Sequence, residues 1–162
     1  GLVLVAEESL DEVMLPDIVV IPGGPGAAAV ARDAEVLRWL ATVHLASRWT
    51  VSVCTGALIL GAAGLLRGLK ATTHWMALEA LRNFGAEPQA SRCVRENKIL
   101  TAAGVSAGID MALTLVALEC GDTAAQAIQL GIEYDPQPPF DAGSPSKAPA
   151  AIVSLLQVRS NG

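Results

Sequence analysis

The sequence predicts an α/β fold: a three-layer α/β/α sandwich in which helices cover both sides of a mainly parallel sheet. Three observations lead to this prediction. Short apolar runs with strand character alternate with segments of helical periodicity. Of the 162 residues, 52% are hydrophobic and only 17% are charged, as expected for a domain that buries a sizeable core. Alanine, leucine, valine and glycine dominate the composition, which is typical of close helix–sheet packing.

The first half of the chain contains three predicted strands and two predicted helices. The run Asp17–Ile21 is continuously apolar after its first residue, which predicts a strand buried on both faces. Asp33 precedes apolar residues at helical spacing and is a predicted N-cap. The other elements predicted here are a strand at Leu2–Val5, a turn at Pro22–Gly26, a strand at Thr50–Val53 and a helix at Gly56–Ala63.

The second half continues the alternation and ends in a proline-rich segment. Two short strands are predicted on either side of the turn-like trio Glu96–Lys98. The segment Asp135–Pro145 contains four prolines and predicts no regular structure. No repeat or linker divides the chain, so we predict one domain over residues 1–162, with 135–162 as a tail and terminal segment. The elements predicted here are a strand at Leu69–Thr73, a helix at His74–Asn83, strands at Arg92–Arg95 and Ile99–Ala102, and helices at Gly104–Leu118 and Thr123–Ile132.

Charge and cysteine content exclude several classes of function. A net charge of −5 argues against binding to nucleic acid. No apolar run approaches the ~20 residues that a membrane span needs. Cys54, Cys93 and Cys120 lack the CxxC spacing of metal sites, and three cysteines do not suggest a disulfide framework. We therefore predict a cytoplasmic domain that uses neither a metal nor a cofactor.

Cys54 is the first candidate for a functional residue. The run Val51–Val53 delivers it into a turn of small residues that opens directly into an apolar helix. At such a position, free backbone N–H groups and the helix dipole stabilise a thiolate, the nucleophilic form of cysteine. A buried structural cysteine is the alternative. The position on a strand-to-helix turn favours the nucleophile.

The glycine-rich turn is the second candidate. In open α/β sheets, reactive groups gather at the carboxyl ends of the strands, where both Pro22–Gly26 and Cys54 are expected. Glycine at 23 and 24 allows the backbone to approach a ligand closely. We predict that the N–H groups of Gly24 and Thr55 stabilise negative charge on a substrate bound at Cys54.

Four segments together carry a resemblance to a known family: IPGGPG at 21–26, SVCTGALILGAAGLL at 52–66, ATTHW at 71–75 and TAAGVSAGID at 101–110. The chain resembles the ThiJ/PfpI superfamily, whose fold is flavodoxin-like and glutamine amidotransferase-like. These motifs are shared with sensor domains of AraC-type regulators. The tail IEYDPQPPFDAGSP at 132–145 is similar to the isocyanide hydratase branch, a group of lyases.

The resemblance implies a mechanism. Cys54 would attack an isocyanide carbon to form a thioimidate, which water would hydrolyse to an N-substituted formamide, with Thr55 assisting. The family's general acid, first strand and first helix lie upstream of Gly1, so we expect the chain to be truncated at its N-terminus. The chain departs from the family at Thr101–Gly104, where relatives carry a run of glycines.

The resemblance also implies a homodimer that acts on a small-molecule substrate. His74 follows Cys54 by twenty positions and is either an orienting group close to the thiol or a structural histidine. A ligand-sensing or redox-sensing module without turnover is the alternative function. A glyoxalase-like or amidase-like activity on the same scaffold is a third. Structural roles are predicted for His44, Cys93, Cys120, Asp110, Trp39, Trp49 and Trp75.

Overall fold

A computed structural model describes residues 1–159 of the chain and contains two compact units, the first ending at Met111 and the second beginning at Ala112. A four-stranded sheet forms the centre of the first unit. Helices and strands alternate around it, and the α/β class predicted from the sequence is correct. In spatial order the strands are β1 (Ile18–Ile21), β2 (Trp49–Val53), β6 (Ile99–Ala102) and β5 (Cys93–Glu96).

The sheet is mainly parallel. Strand β1 pairs with β2, and β2 with β6, in parallel register, so that Ile21, Ser52 and Thr101 lie side by side. Strand β5 is antiparallel to β6 and closes one edge. The turn between them places Asn97 at a φ of 54°, a left-handed conformation that asparagine tolerates better than most residues. The carboxyl ends of β1, β2 and β6 therefore lie at one edge of the sheet.

Strand β1 differs from the prediction that both of its faces are buried. Val19 and Ile21 are buried, but Ile18 and Val20 are 42% and 55% exposed. Strand β1 is at the edge of the sheet, and only the face that carries Val19 and Ile21 is covered. A continuous apolar run cannot distinguish this position from a fully buried strand, because its residues are apolar on both faces.

Three helices precede or follow the parallel strands: α1 (Ala27–Val30), α2 (Ala34–Ala46) and α3 (Gly56–Ala62). The predicted N-cap is present, since the Asp33 carboxylate accepts a hydrogen bond of 2.9 Å from the Glu35 N–H. At the other end of α2, the Lys98 ammonium donates to the carbonyl of Ser47 at 3.0 Å. The core packs around fully buried residues of α2 and α3 and of the chain that follows α3: Leu40, Val43, Ala57, Leu60, Leu66, Ala71 and Leu81.

A second, two-stranded sheet pairs β3 (Lys70–Ala71) with β4 (Glu87–Pro88), and the predicted strand at 69–73 is therefore shorter. Strand β3 ends early because the Thr72 N–H donates to the Thr101 hydroxyl instead of a strand carbonyl. The helix predicted at 74–83 is a 3₁₀ helix, Trp75–Phe84, with His74 as its N-cap. Apolar spacing over ten residues does not distinguish 3₁₀ from α hydrogen bonding.

Residues 2–5 were predicted as a strand, and this prediction is wrong. The run forms no regular structure, and its side chains are between 80% and 89% exposed. A strand requires a partner for its backbone groups, and this run pairs with no strand in residues 1–159.

The boundary of the second unit lies within α4 (Ala107–Cys120), and the unit continues with α5 (Asp122–Gly131) and α6 (Ala150–Arg159). The segment between α5 and α6 has no helix or strand, as its prolines predict. Residues 160–162 of the predicted terminal segment lie outside the described residues. Among the described residues, no helix combines the length and apolar character that a bilayer crossing demands.

Candidate active site

Cys54 occupies the sharp turn between β2 and α3. Its φ of 58° lies in the left-handed region, although cysteine is neither glycine nor asparagine. Such a conformation costs about 1–2 kcal/mol and persists only when the surrounding structure enforces it. The residue is partly exposed. Strain of this kind is concentrated at functional sites, which favours the nucleophile over the structural cysteine.

Both backbone polar groups of Cys54 are held by residues outside the turn. Its N–H lies 3.0 Å from the carbonyl of Ala102 and 2.8 Å from that of Ala103, at the end of β6. Its carbonyl accepts a hydrogen bond of 2.7 Å from the hydroxyl of Thr73. These contacts come from two different parts of the chain and together account for the strained conformation. No motif or spacing in the sequence indicates the part played by Thr73.

Gly23 brings the glycine-rich turn directly against the Cys54 turn. A Cβ atom at residue 23 would lie 2.5 Å from the Thr55 nitrogen and 2.9 Å from the Cys54 Cβ. Side chains do not fit at such distances, so glycine is required here. The structure therefore brings together Gly23, Cys54 and Thr55, three of the residues singled out from the sequence.

Gly24 is connected to Thr55 in a way that the sequence did not predict. Its N–H donates a hydrogen bond of 2.9 Å to the Thr55 hydroxyl, and its φ is +141°, a conformation suited to glycine. This N–H already has a partner within the protein, whereas in residues 1–159 no group accepts a hydrogen bond from the Thr55 N–H. Of the two predicted anion-stabilising donors, Thr55 is the one that is free in this structure.

Gly56 joins the start of α3 to the end of β1. A Cβ atom there would lie 2.2 Å from the Ile21 carbonyl oxygen and 3.0 Å from that of Pro22. No side chain fits against two backbone carbonyls at these distances. This close approach limits the distance between the end of β1 and the start of α3. Sequence reasoning missed it, although the TG pair after the cysteine is a visible signal.

His74 lies at the start of the 3₁₀ helix. Its Nδ1 accepts a hydrogen bond of 3.4 Å from the Met76 N–H, as an N-cap does. A Cβ atom on Gly104 would lie 3.4 Å from the imidazole ring. No hydrogen bond joins the imidazole to Cys54 in the part of the chain that the structure describes. The observed contacts are those of the structural histidine; the orienting role stays a prediction.

Cys93 is the other cysteine of the first unit, and its environment differs from that of Cys54. Burial, together with the charge of Asp110, raises the pKa of the Cys93 thiol and keeps it protonated at neutral pH. Asp110 itself forms an ion pair with Arg92. Among residues 1–159, the structure assembles no cluster of three His, Cys, Asp or Glu side chains suited to a metal ion.

Comparison with known proteins places these features in context. The sequence profile of the DJ-1/PfpI family matches residues 1–118. The chain is 42% identical over 159 residues to the isonitrile hydratase of Pseudomonas putida, covering 98% of this chain and 70% of the relative. It is 31% identical over 140 residues to the HTH-type transcriptional regulator GbdR of Pseudomonas aeruginosa, covering 83% of this chain but 37% of the regulator.

A solved structure of a THiJ/PfpI family protein from Pseudomonas syringae superimposes with a TM-score of 0.85 and 46% sequence identity. The match covers 88% of this chain and 59% of that protein. The chain therefore spans only part of the length of the proteins that it resembles.

Proposed function

The chain belongs to the DJ-1/PfpI family, and on this premise we propose that it hydrates isocyanides to N-substituted formamides with Cys54 as the nucleophile. The observation that carries the proposal is the 42% identity to an isonitrile hydratase, which extends over 98% of the chain. The strained, partly exposed Cys54 supports it, because the same residue is the one suited to attack an electrophilic carbon.

In the first step, the Cys54 thiolate attacks the terminal carbon of R–N≡C. A C–S bond forms, the carbon takes up a proton, and the product is the thioimidate R–N=CH–S–Cys54. The adduct has the mass of the protein plus the whole substrate, since nothing leaves. Covalent attachment divides one difficult addition of water into two easier steps.

In the second step, water adds across the C=N bond: its oxygen bonds to the carbon and one of its protons goes to the nitrogen, which gives R–NH–CH(OH)–S–Cys54. This tetrahedral intermediate loses its hydroxyl proton and expels the Cys54 thiolate, breaking the C–S bond, and releases R–NH–CHO; the released proton balances the one taken up in the first step. The net reaction is the addition of one water to one isocyanide. Negative charge develops on the oxygen during collapse, and the free Thr55 N–H is the group suited to stabilise it.

The glycine-rich turn fits this chemistry. The absence of a side chain at Gly23 lets the glycine-rich turn lie directly against the Thr55 nitrogen and the Cys54 Cβ. The hydrogen bond from the Gly24 N–H holds the Thr55 hydroxyl against the glycine-rich turn. In residues 1–159, no carboxylate is hydrogen-bonded to Cys54 or Thr55. We therefore assign neither the protonation of the carbon in the first step nor that of the nitrogen in the second step to a residue of this range.

The proposal is tested by incubating the protein with p-tolyl isocyanide, following formamide by chromatography and measuring intact mass. We expect catalytic turnover and an adduct that carries the full mass of the isocyanide. The Cys54→Ala variant should lose both. Cys93→Ala is the matched control, because Cys93 is half-buried and its thiol is protonated. Full turnover by Cys54→Ala would disprove the proposal.

A ligand-sensing module without turnover is the second candidate, favoured by the match to GbdR over 83% of the chain. The same experiment separates the two functions. A sensing module would bind the ligand, or form one adduct per chain, without releasing formamide. Saturation of the adduct at one equivalent with no product would favour this candidate over the hydratase.

A further inference from the structure

We propose that Thr73 is a positioning residue for the chemistry at Cys54: its hydroxyl fixes the peptide between Cys54 and Thr55 and thereby aims the Thr55 N–H at the reacting group. The inference rests on the proposed function for the role of that N–H as an anion-stabilising donor. The hydroxyl of Thr73 lies 2.7 Å from the Cys54 carbonyl oxygen, and Thr73 is 1% exposed.

The Cys54 carbonyl and the Thr55 N–H belong to one planar peptide bond. In a trans peptide, the C=O of one residue and the N–H of the next lie in one plane and point in opposite directions. Any group that holds the Cys54 carbonyl therefore also sets the direction of the Thr55 N–H. Among the side chains of residues 1–159, Thr73 is the one that donates to this carbonyl.

The peptide between Cys54 and Thr55 follows a strained residue, since a φ of 58° is unfavourable for a residue with a Cβ. The direction of this peptide depends on the ψ of Cys54 and the φ of Thr55, so a hydrogen-bond partner on the Cys54 carbonyl restrains it. On the helix side the carbonyl has only a long contact, 3.4 Å from the Ala57 nitrogen. The Thr73 hydrogen bond is shorter, and its donor belongs to a buried residue, where a lost partner is costly.

The neighbouring residue, Thr72, has hydrogen bonds of its own to other parts of the chain. The Thr72 hydroxyl donates to the Ser91 carbonyl at 2.8 Å, and its N–H donates to the Thr101 hydroxyl at 2.9 Å. Thr72 is also 1% exposed. The two adjacent threonines thus have equal burial and equivalent side-chain bonds to a carbonyl. Only the bond of Thr73 leads to the Cys54 turn, which makes Thr72 a matched control.

The test uses p-nitrophenyl acetate, a probe that does not depend on isocyanide turnover. Attack by the Cys54 thiolate forms an acetyl thioester, breaks the bond to the aryl oxygen and releases p-nitrophenolate. The burst rate constant measures stabilisation of the tetrahedral oxyanion, and peptide mass spectrometry verifies acetylation of Cys54. We expect Thr73→Val to lower this rate constant about tenfold. Misalignment of the Thr55 N–H should weaken its hydrogen bond to the oxyanion, but by less than complete removal of the donor would.

Thr73→Ser retains the hydroxyl and should stay within twofold of the wild type, as should Thr72→Val. The melting temperatures of Thr73→Val and Thr72→Val are expected to fall by similar amounts. If Thr73→Val does not fold, Thr73→Ala takes its place, because it removes the hydroxyl without placing a methyl group against the carbonyl.

Unchanged acetylation in Thr73→Val, or equal slowing in Thr72→Val, overturns the inference. A wild type that forms no formamide while Thr73→Val still slows acetylation would overturn the proposed hydratase activity and support the role of Thr73.

Discussion

Replacement of Gly23 by alanine provides a sharp test of the candidate site. The new Cβ would lie 2.5 Å from the Thr55 nitrogen, whereas atoms in contact keep about 3.5 Å, so the two turns must separate by roughly 1 Å. A shift of this size would break the 2.9 Å hydrogen bond from the Gly24 N–H to the Thr55 hydroxyl. Misplacement by about 1 Å costs on the order of 10²-fold in rate.

We therefore expect Gly23→Ala to lower kcat/KM for p-tolyl isocyanide about 100-fold. Stability should fall by about 1 kcal/mol, the net contribution of one hydrogen bond. Steady-state formamide assays measure the first quantity, and urea unfolding followed by circular dichroism measures the second.

Gly26→Ala is the matched control for this experiment. Gly26 lies in the same turn, has an ordinary φ of −76°, and an added Cβ would meet no atom within 4 Å. It should keep activity and stability near those of the wild type. Wild-type kcat/KM in Gly23→Ala, or an equal loss in Gly26→Ala, would refute the reasoning that the close approach at residue 23 organises the site.

Three further predictions concern stability. The buried Ser52 hydroxyl has no hydrogen-bond partner in residues 1–159, so Ser52→Ala should leave the urea midpoint unchanged or raise it. Thr101→Val, by contrast, removes the hydroxyl that accepts a hydrogen bond from the Thr72 N–H and should lower the free energy of unfolding by about 1–3 kcal/mol. Asp33→Ala should cost about 1 kcal/mol in urea unfolding through loss of the helix cap, and Asp33→Ser should restore most of it. Burial, and secondarily the charge of Lys98, lowers the pKa of His44 below 6.5. The unfolded chain therefore binds a proton on His44 more readily than the folded chain, so the contribution of His44 to stability is complete above about pH 6.5 and is lost as the pH falls below that value. The melting temperature of His44→Gln should fall less between pH 7 and 5 than that of the wild type, and an equal fall would contradict the assignment.

The sequence predicted the strands and helices whose periodicity is long or whose ends carry a chemical signal. Strand β2, helix α2 with its Asp33 cap and the hairpin around Asn97 are each within a few residues of the predicted positions. The four-residue helix α1 and the two-residue strand β4 are too short to generate a period, and β3 occupies only part of the strand predicted at 69–73. Their positions depend on contacts with distant parts of the chain.

The candidate site was predictable in part for the same reason. Cys54, Thr55 and Gly23 follow from strand ends that meet at one edge of a parallel sheet. The engagement of the Gly24 N–H by the Thr55 hydroxyl could not be predicted, because it depends on backbone direction within the turn. The role of Thr73 could not be predicted either, because nothing in the sequence pairs its hydroxyl with the carbonyl of Cys54, nineteen positions away.

The hydrogen bonds from the Cys54 N–H to β6 have a consequence for folding. Strand β6 lies beside β2 in the sheet but far from it in sequence, with α3, β3 and the 3₁₀ helix between them. Pairing between such distant segments is slow, because a large loop must close before the contact stabilises it. The strained turn at Cys54 needs the carbonyls of Ala102 and Ala103, so it can form only once β6 has docked. During refolding, burst acetylation of Cys54 should therefore appear with the slowest phase, after the local β5–β6 hairpin and α2 have formed.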